Sequence, residues 1–65
     1  MKWSEFYEKA DNCEVSTVVK MIPSLEEFGS PKEIADVILI IGSEDKKGAN
    51  SLLNKALDKG IKFNA

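Results

Sequence analysis

The sequence contains no histidine and no arginine, and Cys13 is its only cysteine. Without histidine, neither a Ser-His-Asp nor a Cys-His arrangement can form, and the commonest general base is missing. One thiol allows no intrachain disulfide and cannot supply a four-ligand zinc site. Its acidic neighbours Asp11 and Glu14 disfavour the thiolate, so the thiol is expected to be inert. These absences predict a protein that is not an enzyme and uses no metal or cofactor.

A long apolar segment and a strong charge of either sign are also absent. The longest apolar run is far shorter than the roughly 20 residues that span a bilayer, and no signal-peptide pattern follows Met1. The net charge is −2 and the apolar content is 43%, which is typical of an ordinary globular domain. We therefore expect one cytoplasmic domain over residues 1–65, with no contact with a membrane.

A domain of 65 residues hides only about 60% of the surface that its unfolded chain exposes, so its stability is marginal. Domains this small usually rely on disulfides, a metal, a partner subunit or efficient helix packing. Because the first two are unavailable, the chain must depend on helix packing or on association.

Apolar residues recur with helical spacing in the first half of the chain. Asp11 and Glu14 resemble a capping box at the start of a second helix, which Pro23 must end. Between Ser24 and Gly29 the pattern predicts a further single-turn helix. The two apolar stripes are Trp3, Phe6, Tyr7 and Ala10, and then Val15, Val18, Val19 and Ile22.

The most apolar stretch runs from Ser30 to Gly42. Ser30 is a good N-cap, Pro31 suits the first helical position, and Glu33 completes a capping box. A strand is the alternative, because residues 37–41 are rich in β-branched side chains. The chain offers few other strand-like segments, so a helix is favoured.

The last helix has two possible starts, one at Ser43-Glu44-Asp45 and one near Ala49. Gly60 predicts its end in a Schellman motif, and residues 62–65 form a tail from which Phe63 packs back. The inward stripe is Ala49, Leu52, Leu53 and Ala56, with Leu57 alongside it. The sequence thus predicts an all-α fold, a compact bundle of four or five short helices around a central hydrophobic helix at about residues 31–41.

Residues 31–60 also resemble a helix-turn-helix. Pro31-Lys32-Glu33-Ile34-Ala35 is similar to the opening of the first helix in winged-helix regulators, and residues 52–61 are similar to their recognition helix. The resemblance implies DNA binding through the helix at about 46–59, with candidate contacts at Lys46, Lys47, Asn50, Asn54, Lys55 and Lys59. A longer turn, a missing wing hairpin and the absence of arginine depart from that family, so nucleic acid is the less expected partner.

Three segments carry a second resemblance: residues 3–9 (WSEFYEK), residues 28–30 (FGS), and residues 55–63 with Lys55-Ala56 and Gly60-Ile61-Lys62-Phe63. They resemble small helical proteins of bacteriophages and mobile elements. The resemblance implies an accessory protein that acts stoichiometrically, for instance as an inhibitor of host defence of the anti-CRISPR type.

The remaining hypothesis is a non-enzymatic module that binds a protein. Trp3 and Tyr7 are either core residues or partly exposed anchors, since such aromatics are favoured at binding hot spots. The central helix is apolar almost all the way round, and the other stripes are too few to cover Leu39 and Ile40 with certainty. We expect that side to meet a protein partner or a second copy of the chain.

Overall fold

The computed structural model describes residues 2–63, which form four α-helices and one 3₁₀ turn. The helices are α1 (Trp3–Asp11), α2 (Val15–Met21), α3 (Pro31–Gly42) and α4 (Lys46–Asp58), and the 3₁₀ turn is Ile22–Ser24. The radius of gyration of the Cα atoms is 10.3 Å, close to the value of about 11 Å expected for a compact domain of this length. The prediction of an all-α bundle is confirmed.

The central helix α3 begins with the predicted cap. Ser30 Oγ accepts a hydrogen bond from the Glu33 backbone N–H, while Glu33 Oε1 accepts from the Ser30 N–H, both at 3.3 Å. Pro31 occupies the first turn, where its missing N–H removes no intrahelical bond. The capping box fixes the start of α3 locally, and the helix ends at Gly42 as predicted.

Helix α4 begins at the earlier of the two predicted starts. The Asp45 carboxylate accepts a hydrogen bond of 2.9 Å from the Gly48 N–H, so α4 follows α3 after a connection of residues 43–45. At the other end, Gly60 adopts a φ of +85°. Its N–H donates to Leu57 O, and the Ile61 N–H donates to Ala56 O. These two bonds are the predicted Schellman motif.

The end of α1 repeats that motif with an unexpected residue. Cys13 has a φ of +61°, the left-handed conformation that glycine normally supplies. The Cys13 N–H donates to Ala10 O and the Glu14 N–H to Lys9 O, at 2.9 and 3.1 Å. Asp11 is still part of α1 and Glu14 makes no side-chain cap. The predicted capping box between Asp11 and Glu14 is therefore wrong.

The predicted single-turn helix between Ser24 and Gly29 is also wrong. The chain makes a 3₁₀ turn at Ile22–Ser24 and then runs without helix to Ser30. Glu27, expected at position N3 of this helix with Ser24 as the cap, instead accepts a hydrogen bond of 3.2 Å from the Trp3 backbone N–H. Leu25 still reaches the core, where its side chain is 1% exposed. A contact with α1 has replaced the local cap.

The core lies between the inner face of α3 and the other three helices. Ile34, Val37 and Ile41 of α3 are fully buried, and the helix packs mainly against α4 and α1. The rest of the core consists of Trp3, Phe6, Ala10, Val15, Val18, Ile22, Leu25, Ala49, Leu52 and Ala56. Phe63 packs back on this core as predicted, while Asn64 and Ala65 of the predicted tail lie outside the described residues.

Candidate functional site

The outer side of the α3–α4 pair is the part of the bundle that other helices leave uncovered. Leu39 is 74% exposed, because its position on α3 is opposite the buried Ile34, Val37 and Ile41. Beside it lies an open hollow of about 460 Å³ between the end of α3 and the start of α4. Its lining is Ile38, Leu39, Gly42, Ser43, Lys46, Ala49 and Asn50.

A second hollow of about 330 Å³ lies further along α3, toward its N-terminus, where Phe63 contributes one wall. Its other lining residues are Pro31, Lys32 and Ala35. Residues spaced by three or four positions lie next to one another on the surface of a helix. Four of the α3 residues that line the two hollows have this spacing and form one stripe: Pro31, Ala35, Ile38 and Gly42. The two hollows therefore lie along the same edge of α3. We name the residues that line them together the α3–α4 seam.

The α4 side of the seam continues the apolar character. Leu53 and Leu57 follow Ala49 at intervals of four residues, so they share its edge of the helix. Leu57 is 52% exposed. Leu39 and Leu57 are the exposed large apolar side chains of the described chain, and each belongs to an edge that contributes to the seam.

The four predicted protein-interface residues do not form one surface. Leu39 points outward, whereas Ile40 is half-buried against the core. Trp3 is only 7% exposed, and its ring lies 6.0 Å from that of Tyr7 in a stacked arrangement. Phe28 lies on it at 6.1 Å. Trp3 therefore lies where a core residue is expected, and not where an exposed binding anchor is expected.

Tyr7 of α1 is half-buried beside Trp3. Partial burial of the phenol raises its pKa, and the carboxylates of Asp36, Glu33 and Asp11 raise the pKa further because they disfavour a second negative charge.

The predicted DNA-contact residues fall into two groups. Lys46, Lys47, Asn50 and Asn54 are exposed on the outer face of α4, and Lys59 is exposed just beyond its end. Lys55 is different, because its Nζ donates hydrogen bonds of 2.8 Å to the carbonyl oxygens of Ile22 and Pro23. Both carbonyls belong to the 3₁₀ turn that follows α2, so Lys55 joins α4 to that turn.

No family model, curated protein or solved structure matches this chain. None of the helices within residues 2–63 is long and apolar enough to cross a membrane, and the acidic and cysteine side chains of that range do not gather into a group of three that could hold a metal ion.

Sequence reasoning missed the second hollow, and it placed Leu57 alongside the inward stripe of α4, whereas its side chain is 52% exposed. The signal for Leu57 was present in the spacing Ala49, Leu53, Leu57, which extends the apolar stripe of α4 beyond the side that the core occupies. The hollow at Phe63 had no local signal, because it depends on where the chain goes after the Schellman motif at Gly60.

Proposed function

We propose that this chain is a non-enzymatic protein-binding module that binds its partner through the α3–α4 seam. The observation that carries the proposal is the exposure of Leu39, 74% open to solvent at the rim of an apolar hollow. Burying a leucine side chain stabilises a complex by about 1.5–3 kcal/mol. Because Leu39 is mostly exposed in the isolated chain, most of this free energy becomes available only when a partner covers the side chain.

The size of the domain supports this proposal. A chain of 65 residues has little apolar area to spare, yet α3 carries a leucine that contributes almost nothing to its own core. A lysine or glutamate at this position would preserve the helix equally well. An apolar side chain there has a physical use when a second molecule covers it.

The resemblance to small proteins of bacteriophages and mobile elements supplies the proposed setting. In that setting the chain is a cytoplasmic accessory protein that binds a host or phage protein stoichiometrically, for example as an anti-defence inhibitor of the anti-CRISPR type. Stoichiometric binding requires only a docking surface, which is the property that the seam offers.

The test is a crosslinked capture from the cells that encode the chain, with three versions of a tagged protein. Wild type is expected to recover one protein in comparable molar amount. Leu39→Asp is expected to lose that protein while its helical circular dichroism is unchanged, because Leu39 is outside the core. Thr17→Asp is the matched control, since Thr17 is exposed on α2, away from the seam. Equal recovery by both variants, or no specific recovery by wild type, contradicts the proposal.

A second candidate function is DNA binding by a helix-turn-helix formed by α3 and α4. The observation that favours it is the connection of residues 43–45, which has the three-residue length typical of that motif and is shorter than the sequence suggested. Lys47 and Asn54 are exposed on the outer face of α4, the helix that would serve as the recognition helix in this candidate.

A gel shift on random duplex DNA at low salt tests this alternative. Lys47→Glu is expected to weaken a real interaction, and Lys20→Glu on α2 is its charge-matched control. Lys55 is unsuitable for this experiment because its substitution also removes the bonds to Ile22 and Pro23. The absence of a shift with wild type removes the DNA-binding candidate.

A further inference from the structure

From the seam we infer the chemistry of the partner, an inference that rests on the proposed function: the seam takes an amphipathic α-helix with apolar anchors at i and i+7 and acidic residues beside them. Three properties of the seam lead to this occupant. They are the nature of its walls, the spacing of its two hollows and the sign of the charge at each hollow.

The walls of the seam favour a helical occupant over an extended one. Most of the surface that lines the larger hollow is apolar, and its apolar side chains are Ile38, Leu39 and Ala49. An extended segment lying there would turn unpaired N–H and C=O groups toward these side chains, at a cost comparable to lost hydrogen bonds. Residues 2–63 also offer no strand whose edge could pair with such a segment. A helix satisfies its own backbone and presents only side chains.

The spacing of the hollows sets the spacing of the anchors. Pro31 and Ala35 line one hollow, and Ile38 and Gly42, each seven residues further along α3, line the other. Seven residues of α-helix correspond to about 10.5 Å. A partner helix lying along α3 therefore places side chains i and i+7 in the two hollows.

The charge at the rims sets the sign of the flanking residues. Each hollow has one charged residue in its lining, and in both it is a lysine, Lys32 in one and Lys46 in the other. Acidic side chains next to the anchors complement both. The same lysines disfavour a second copy of the chain as the partner. In a two-fold dimer each hollow would face either its own copy or the other hollow, and both arrangements would bring two lysines together.

The probe for this inference is a fluorescent helical peptide of about 14 residues, roughly 21 Å long. It carries leucines at i and i+7 and a glutamate four residues after each leucine. A second peptide has lysines in place of the glutamates. Fluorescence anisotropy at low salt is expected to show the acidic peptide binding about tenfold more tightly. The difference is expected to shrink at 1 M salt, where the screening length is about 3 Å.

Two variants of the chain decide whether the seam is the site. The double variant Lys32→Glu and Lys46→Glu is expected to reverse the preference in favour of the lysine peptide. The double variant Lys2→Glu and Lys20→Glu makes the same change in net charge at two exposed positions, one just before α1 and one on α2, and is expected to keep the acidic preference. Leu39→Asp is expected to abolish binding of both peptides.

The outcomes that overturn the inference are distinct from those that remove the proposed function. Failure of both peptides to bind, equal affinity for the two, a preference that Lys32→Glu and Lys46→Glu leave unchanged, or undiminished binding of a proline-interrupted peptide overturns it. So does a dimer in sedimentation that Leu39→Asp dissociates. If the cellular capture still depends on Leu39 in any of these cases, the protein-binding function stands and only the helical, acidic partner is wrong.

Discussion

Helix α4 approaches α2 closely at Gly48. We therefore predict that Gly48→Ala destabilises the protein, although helix propensity alone would favour alanine. Gly48 is buried in the first turn of α4, and a Cβ at this position would lie 2.6 Å from Val19 Cγ2 and 3.2 Å from Val19 Cγ1. Val19 is β-branched and held in a helix, so its side chain has little freedom to rotate away. The substitution Gly48→Ala must therefore move α4 or strain Val19.

Two effects of Gly48→Ala oppose each other. Alanine is favoured over glycine within a helix by about 0.8–1.0 kcal/mol. Inserting a carbon into a contact that is already closed costs about 1–3 kcal/mol. We expect the steric effect to win, with a net loss of about 1 kcal/mol in the free energy of unfolding. In a domain of this size that loss lowers the melting temperature by about 4–8 °C.

Thermal and urea unfolding followed by circular dichroism at 222 nm measure this loss. Gly42→Ala is the control, because its Cβ would meet only Ala49 Cβ at an ordinary 3.7 Å; this substitution is expected to be neutral or slightly stabilising. Val19→Ala removes the methyl groups that the new Cβ would meet. It is therefore expected to lower the free energy of unfolding by about 1 kcal/mol less in the Gly48→Ala background than in wild type. Additive effects, or a Gly48→Ala variant as stable as Gly42→Ala, would refute the steric argument.

Three further predictions concern single side chains. Cys13→Gly is expected to raise the free energy of unfolding by about 0.5–1 kcal/mol in urea titrations, because relief of the left-handed backbone outweighs the added freedom of the unfolded chain. Lys55→Met is expected to lower it by about 1–2 kcal/mol through the loss of two charge-assisted bonds to carbonyls, whereas Lys47→Met on the exposed face changes it by less than about 0.5 kcal/mol. The absorbance titration of Tyr7, the single tyrosine, is expected to have its midpoint above 10.0. The folded state holds the phenolic proton more tightly than the unfolded chain does, so this proton adds to the free energy of unfolding. That contribution is complete below pH 10 and is lost as the pH rises through the raised pKa. The Tyr7→Phe variant is expected to lack this loss.

The parts of the fold that were predictable are those with local causes. The cap of α3 depends on residues 30–33 alone, and the end of α4 depends on a glycine followed by an apolar residue. The single-turn helix predicted after Pro23 failed because local residues do not reveal a distant partner: Glu27 accepts a hydrogen bond from the Trp3 backbone N–H, 24 positions away. The start of α4 stayed open because Gly48 weakens the local helical signal; its place in the helix is explained by its contact with Val19.

The candidate site was predictable in outline only. Helical periodicity puts Leu39 opposite the inward face of α3, so its outward direction follows from the sequence. The sequence does not reveal that Lys55 turns toward Ile22, since a lysine near the end of a helix usually remains in solvent. It also cannot place Phe63 beside Pro31, because that contact depends on how α3 and α4 cross.

The bonds from Lys55 to the carbonyls of Ile22 and Pro23 have a consequence for the chemistry of the folded protein. Acylating reagents attack a free amine, and an ammonium group held by two carbonyl oxygens reacts only when the contact opens. The exposed lysines on the same helix react without such an opening. The acylation rate of Lys55 relative to Lys47, measured by mass spectrometry, therefore reports how often the Lys55 side chain leaves the carbonyls of the 3₁₀ turn in an unmodified chain.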